Sequence, residues 1–321
     1  MEYTASSSRY ANMNYRQVGS SGLKMPALSL GLWQNFGSGV SKEHIFSMLS
    51  TAFDNGITHF DLANNYGPVY GAAEQNFGEV FDKELSHYRD EMLISTKAGF
   101  DMWEGPYGDG GSKKYLISSL NQSLKRMKLD YVDIFYHHRY DPETPLEEVA
   151  HTLDLIVRQG KALYVGVSNY PADKLKEISD IFSVKKTPFI IDQPRYNMLD
   201  RNADTSGVLE VVRTCGIGAI AYSPLARGAL SGKYIKTPKS DIKDENIVAK
   251  YDKLVELGKF ASVRGATLTQ LAIIWLLSDK RITSVLMGAS KVEQILENVA
   301  AINMPLLSCE EKEIINTILD K

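Results

Sequence analysis

The sequence predicts an α/β chain folded as one (β/α)8 TIM barrel with a β-hairpin at its N-terminus, and three observations carry that prediction. Short apolar runs alternate with segments of helical spacing along nearly the whole chain, and the runs number eight. Three successive runs, at 57–61, 92–99 and 132–139, end in chemically active side chains, Asp61, Lys97 and His138. In a barrel of parallel strands such ends converge on one face. The chain has 321 residues and is 44% hydrophobic, enough for one large domain with a well-buried core.

Residues 1–14 are rich in Ser, Asn and Tyr and read as a flexible tail, which leaves 15–321 as a single domain. Residues 15–18 and 23–25 flank Gly19-Ser20-Ser21-Gly22 and predict the hairpin. The first barrel strand is 27–33, ALSLGLW, and it carries Trp33 to the active face. Residues 44–55 place Ile45, Met48, Leu49, Ala52 and Phe53 at helical spacing, and Gly56 ends that helix. After the strand at 57–61, residues 72–85 predict a helix with Phe77, Val80 and Phe81 on one side. The third strand is 92–99. The stretch 100–112, FDMWEGPYGDGGS, holds too many glycines and aromatics for a helix and reads as a substrate loop. Helix 115–127 leads to strand 132–139. Helix 146–160, strand 163–169, helix 172–182, strand 189–193, helix 208–215 and strand 218–222 continue the alternation. Before the last strand, 282–287, lie an added loop at 234–245 and helices at 242–265 and 267–278. Residues 310–319 are a terminal helix.

A net charge of −3 leaves no electrostatic footprint for nucleic acid or an anionic membrane. Cys215 and Cys309 are the only cysteines, so neither a disulfide framework nor a metal site is expected, and the reading is reducing cytosol. No apolar run has the length of a signal peptide core or a membrane span. The expected protein is cytoplasmic, with small molecules rather than nucleic acid or membrane as partners.

The chemistry starts from Asp61, placed where its strand meets solvent and in need of a partner. Lys97 occupies the same edge one strand later. Tyr66 follows Asp61 by five residues, and a phenol donates a proton near neutrality only if a cation lowers its pKa from about 10. Lys97 within about 4 Å would supply roughly 4 kcal/mol at an effective dielectric of 20, while Asp61 keeps it charged. A strand-end lysine also supports Schiff-base chemistry, and that alternative stays open. His137 and His138 alternate along a strand, so one of them faces the pocket. No GxGxxG follows the first strand, which argues against a Rossmann site.

The segments GITHFDLANNYG, STKAG, DIFYHHR, YVGVSNY, AYSPLARGALSGKY and GASKVEQILENV resemble those of the aldo-keto reductases, from about residue 15 to the C-terminus. Within that superfamily the likeness leans to the L-glyceraldehyde 3-phosphate reductases and, more distantly, to the potassium-channel β-subunits. The resemblance implies a catalytic tetrad of Asp61, Tyr66, Lys97 and His138, with His138 orienting the substrate carbonyl and His137 structural. It implies NADPH as cofactor. Ser168, Asn169 and Gln193 would bind the carboxamide and Tyr222 would stack on the nicotinamide, with Trp33 and Asp61 also among the contacts. Ser223, Pro224, Leu225, Gly228, Leu230 and Lys233 would form the pyrophosphate loop. Gly288, Ser290, Gln294, Glu297 and Asn298 would serve the adenosine side. Ser290 with Glu293 reads equally as a capping box, whereas Lys291 adds a charge that favours NADPH over NADH. The implied reaction is reduction of small aldehydes, L-glyceraldehyde 3-phosphate and methylglyoxal among them, with Arg139 or Arg227 pairing with a phosphate. A nicotinamide-binding regulatory subunit is the alternative, and a homo-oligomer, tetramer or larger, is a possible assembly. Two departures stand out. Leu62 replaces a small residue of the signature, and no arginine follows GKY, where only Lys236, Lys239 and Lys243 are at hand.

Overall fold

The apolar runs pair as parallel strands because each is followed by enough helix to return the chain to the start of the next strand. A computed structural model describes residues 3–321. The hairpin consists of β1 (Tyr15–Gln17) and β2 (Lys24–Pro26), antiparallel. The barrel strands are β3 (Leu28–Gly31), β4 (His59–Asp61), β5 (Leu93–Ala98), β6 (Val132–His137), β7 (Ala162–Ser168), β8 (Phe189–Gln193), β9 (Gly218–Ala221) and β10 (Ile282–Met287). They close in the order β10-β3-β4-β5-β6-β7-β8-β9, as the alternation predicts. Register pairs Asp61 with Ser95, Lys97 with Tyr136 and Ser168 with Gln193, which brings the strand ends to one rim.

The helices bury the faces that their spacing predicts. Lys42–Asp54 is started by Ser41, whose side chain accepts from the His44 amide, and it buries Ile45, Met48, Leu49, Ala52 and Phe53 against the barrel. Each such side chain contributes about 1.5–3 kcal/mol by leaving water. Gly56 ends the helix at φ +81°, and a Cβ there would sit 2.6 Å from the Arg9 carbonyl oxygen. Only glycine permits that approach. The helix predicted at 72–85 is regular over Ala72–Val80 and then widens to a π turn over Phe81–Leu85, with Phe81 and Leu85 still buried. Residues 100–112 hold no helix or strand.

The hairpin plugs the lower end of the barrel. Its Val18 and Met25 are fully buried in one cluster with Ile134, Ile191, Ile220 and Leu286. The segment expected to be a flexible tail is instead packed from Tyr3 onward. Tyr3 Oη donates to Asp54, the Ala5 amide to Tyr88 Oη, and Arg9 pairs with Glu91. Its tyrosines supply edge-on aromatic contacts, Tyr3 to Phe46 at 5.4 Å and to Tyr88 at 5.9 Å. Composition suggests a tail, but aromatic rings in a polar stretch still have surface to bury. Among the described residues no single helix is long and apolar enough to cross a membrane.

Candidate active site

Asp61 ends β4, and Ser95 and Lys97 lie two residues apart on β5, so all three face the barrel interior at adjacent heights. Asp61 and Lys97 are fully buried. The Lys97 ammonium donates to Asp61 Oδ2 at 2.5 Å, to the Leu62 carbonyl at 2.6 Å and to Tyr66 Oη at 3.5 Å. All three of its hydrogens are thereby used. Burial pulls the Lys97 pKa below that of an ordinary lysine, and Asp61 opposes the pull. A lysine so enclosed and so saturated offers a carbonyl carbon neither a lone pair nor a path, which argues against the Schiff-base alternative.

Tyr66 sits on the turn after β4, its amide bonded to the Ala63 carbonyl and its carbonyl accepting from the Ala73 amide. The expectation that Lys97 lowers its pKa needs correction. Burial first, and then the Asp61 carboxylate, hold the phenol above the ordinary tyrosine range. The reason is that Lys97 presents itself to Tyr66 already neutralised by Asp61, so desolvation dominates. Tyr66 is therefore protonated at neutral pH.

His138 lies just past β6, its amide fixed by the Ala98 carbonyl at 2.9 Å. Its ring stands edge-on to Tyr66 at 5.8 Å and to Phe100 at 4.8 Å. Burial, then the charges of Lys97 and its neighbours, push its pKa well below the usual histidine value, so the ring is neutral. Its Nδ1 is buried without a hydrogen-bond partner. His137 faces the other way, with Nδ1 bonded to Tyr170 Oη at 2.6 Å. Burial brings its pKa down to about 4, as suits a structural residue.

The structure also gathers most of the residues expected around a cofactor. Ser168 Oγ donates to the Gln193 carbonyl, Asn169 Nδ2 to Ser168 Oγ and the His138 carbonyl, and Tyr222 Oη to Asn169 Oδ1 at 2.7 Å. Gln193 Nε2 reaches Asp61 Oδ1 at 3.4 Å. Trp33 is half exposed at the rim, 6.1 Å from the Tyr66 ring. In the loop after β9, Ser223, Ala226, Arg227 and Gly228 all have positive φ, while Pro224 and Leu230 are buried and Leu225 partly so. Lys233 Nζ lies 3.9 Å from where a Cβ on Gly228 would stand.

The segment after β10 departs from expectation in one respect. The helix Val292–Ala300 starts at Lys291 with no side-chain cap, and the Ser290 amide and Oγ both donate to Gln294 Oε1. The Ser290–Glu293 capping box does not form, because the helix begins one residue late and Gln294 reaches the Ser290 amide first. Gly288, Ser290 and Lys291 are exposed. Glu297 instead accepts from Thr267 Oγ1, and Asn298 is buried with Oδ1 unpartnered. Arg139 is not free to meet a ligand as it stands. Its Nε donates to the Gly99 carbonyl and its Nη2 to both Asp109 oxygens, at 2.8 and 2.9 Å.

Several contributing residues escape the sequence reading. Ser95 donates to Asp61 Oδ1 at 2.5 Å, and His59 bonds Ser95 and Ser29. The available signal was spacing: His59 precedes Asp61 by two and Ser95 precedes Lys97 by two, so His59 shares a strand face with Asp61 and Ser95 with Lys97.

A family description, "Aldo/keto reductase family", matches residues 27–320. An L-glyceraldehyde 3-phosphate reductase of Escherichia coli O157:H7 is 50% identical over 97% of this chain and 94% of the relative. The protein of the same name from Escherichia coli strain K12 is 49% identical over the same shares. A "Probable voltage-gated potassium channel subunit beta" of Oryza sativa subsp. japonica is 33% identical over 96% of this chain and 97% of its own.

Proposed function

The chain belongs to the aldo/keto reductase family, and on that premise we propose that it reduces small aldehydes to alcohols with NADPH, L-glyceraldehyde 3-phosphate and methylglyoxal among them. The observation that carries the reading is the buried Asp61–Lys97 pair in hydrogen-bond reach of Tyr66. Bound reduced nicotinamide supplies the hydride. The chain's residues supply the rest. A carbonyl oxygen seated between Tyr66 and His138 receives a hydrogen bond from the neutral imidazole and the proton from the Tyr66 hydroxyl. As the phenolate develops, Lys97 at 3.5 Å attracts it with about 5 kcal/mol at an effective dielectric of 20. The Asp61 carboxylate offsets part of that gain and keeps the ammonium charged.

The residues suit a nicotinamide dinucleotide. Ser168, Asn169 and Gln193 form a joined amide-and-hydroxyl surface beside Asp61, the right chemistry for a carboxamide. The run of left-handed residues at 226–228, with Lys233 beside it, suits a pyrophosphate. The buried, unpartnered Asn298 Oδ1 is an acceptor suited to an adenine amine. Exposed Ser290 and Lys291 support a 2′-phosphate and hence NADPH. For the substrate phosphate, Arg227 is exposed and has no ion-pair partner among the described residues, while Arg139 would have to leave Asp109. We place the protein in the cytosol, where free Cys215 and Cys309 stay reduced.

The test is coenzyme oxidation followed by absorbance across an aldehyde panel, with Tyr66→Phe beside the parent. Turnover by the parent and its loss in Tyr66→Phe, with coenzyme affinity retained, is expected. A parent that binds NADPH yet reduces no aldehyde would favour a regulatory subunit, the reading suggested by likeness to the channel subunit.

A further inference from the structure

The interior of the barrel is divided by chemistry. On β6, β8 and β9 it presents Ile134, Tyr136, Ile191 and Ile220. On the consecutive neighbours β10, β3, β4 and β5 it presents Ser284, Ser29, His59 and Ser95, all with no exposed surface. Hydrogen bonds join these four into one line. Ser284 Oγ lies 2.7 Å from Ser29 Oγ, Ser29 Oγ 2.8 Å from His59 Nδ1, and His59 Nε2 2.9 Å from Ser95 Oγ. Ser95 Oγ ends the line on Asp61 at 2.5 Å. Buried polar groups at a position that four aliphatic side chains could fill cost stability unless every one is bonded.

The direction of each bond follows from the last one. Asp61 is the counterion of Lys97, and a carboxylate only accepts. The single hydroxyl hydrogen of Ser95 therefore goes to Asp61, and its oxygen is left to accept from His59 Nε2–H. Burial takes the His59 pKa down to about 4, so the ring carries one hydrogen, and Nδ1 must accept from Ser29. Ser29 in turn accepts from Ser284. Every dipole in the line points toward Asp61. The other tautomer would draw the Ser95 hydrogen back to His59 and set a bare hydroxyl oxygen against the carboxylate.

We propose that His59 is a positioning residue: held as the Nε2–H tautomer by Ser29 and Ser284, it turns the Ser95 hydroxyl onto Asp61 and so fixes the carboxylate that holds Lys97 beside Tyr66. The kinetic consequence rests on the reductase reading, whereas the tautomer does not. Nitrogen NMR of the 15N-histidine-labelled full chain at neutral pH tests the tautomer directly, with the signal among the six histidines identified by its response to Ser29→Ala. Protonated Nε2 and bare Nδ1 are expected at His59; the opposite tautomer, or a doubly protonated ring, overturns the inference. In turnover, Ser95→Ala should lower kcat about tenfold, the loss of one charge-assisted bond, whereas His59→Phe, which keeps that bond but leaves the Ser95 hydroxyl unoriented, should lower it about threefold, with the aldehyde KM unchanged in both. The double variant should lose no more than Ser95→Ala alone, and Ser95→Thr should recover most of kcat. Losses that multiply to about thirtyfold would show independent roles and overturn the relay through Ser95. Should the parent reduce no aldehyde, the proposed function falls and the tautomer alone decides this inference.

Discussion

Replacing Lys97 by methionine probes the site at its most loaded point. The substitution keeps an unbranched apolar side chain one atom shorter and removes a charge that donates to Asp61 Oδ2 at 2.5 Å, to the Leu62 carbonyl at 2.6 Å and to Tyr66 at 3.5 Å. Two consequences separate. Asp61 is left fully buried with only Ser95 and the distant Gln193 amide as donors, and breaking a buried pair by removing one partner costs about 3–5 kcal/mol of stability. At Tyr66 the developing phenolate loses an attraction of about 5 kcal/mol, of which the neighbouring Asp61 charge already offsets a large part, so a net barrier increase of about 2–3 kcal/mol is expected. That is roughly thirtyfold to a hundredfold or somewhat more in kcat/KM. Steady-state kinetics over an aldehyde series gives the second number and urea unfolding the first, with coenzyme affinity from fluorescence titration expected to stay within about threefold. A Lys97→Met enzyme within tenfold of the parent in kcat/KM, at a temperature where it is demonstrably folded, would refute the assignment of the ammonium to proton transfer.

Acid should unfold the protein through its buried imidazoles. His59 and His137 have folded pKa values brought down to about 4, below the value of about 6.5 in an unfolded chain. Their stabilisation is complete above the unfolded value and is lost as pH falls from about 6.5 through 4, about 3 kcal/mol for each ring. A urea midpoint that stays flat over that window would contradict the burial. Removing Asp109 with Asp109→Ala frees the Arg139 guanidinium; kcat/KM for a phosphorylated aldehyde should rise about threefold to tenfold, with the unphosphorylated analogue unchanged and the gain shrinking in salt. No change for either substrate would leave Arg227 as the phosphate partner. Lys291→Glu should weaken NADPH about tenfold or more and leave NADH nearly untouched, read by fluorescence titration; equal loss for both coenzymes would move the 2′-phosphate elsewhere.

The sequence by itself determined the barrel, because strand and helix periods are local and each of the eight runs shows its own. It also determined which side chains crown the rim. Asp61, Lys97 and His138 stand at strand ends, and strand ends in a parallel barrel have one place to go. The packing of the N-terminal segment was hidden because its partners, Asp54, Tyr88 and Glu91, lie 51, 83 and 82 residues away. No local pattern reports a contact at that separation. The pKa of Tyr66 was misjudged for a related reason. A pairwise estimate from residue types sees the cation, whereas only the folded arrangement shows the cation already neutralised by Asp61 and the phenol stripped of water. The pairing of Arg139 with Asp109 and the line from Ser284 to Asp61 belong to the same class. Each depends on which strands and loops become neighbours when the barrel closes, and closure brings β10 beside β3 although more than two hundred residues separate Ser29 from Ser284.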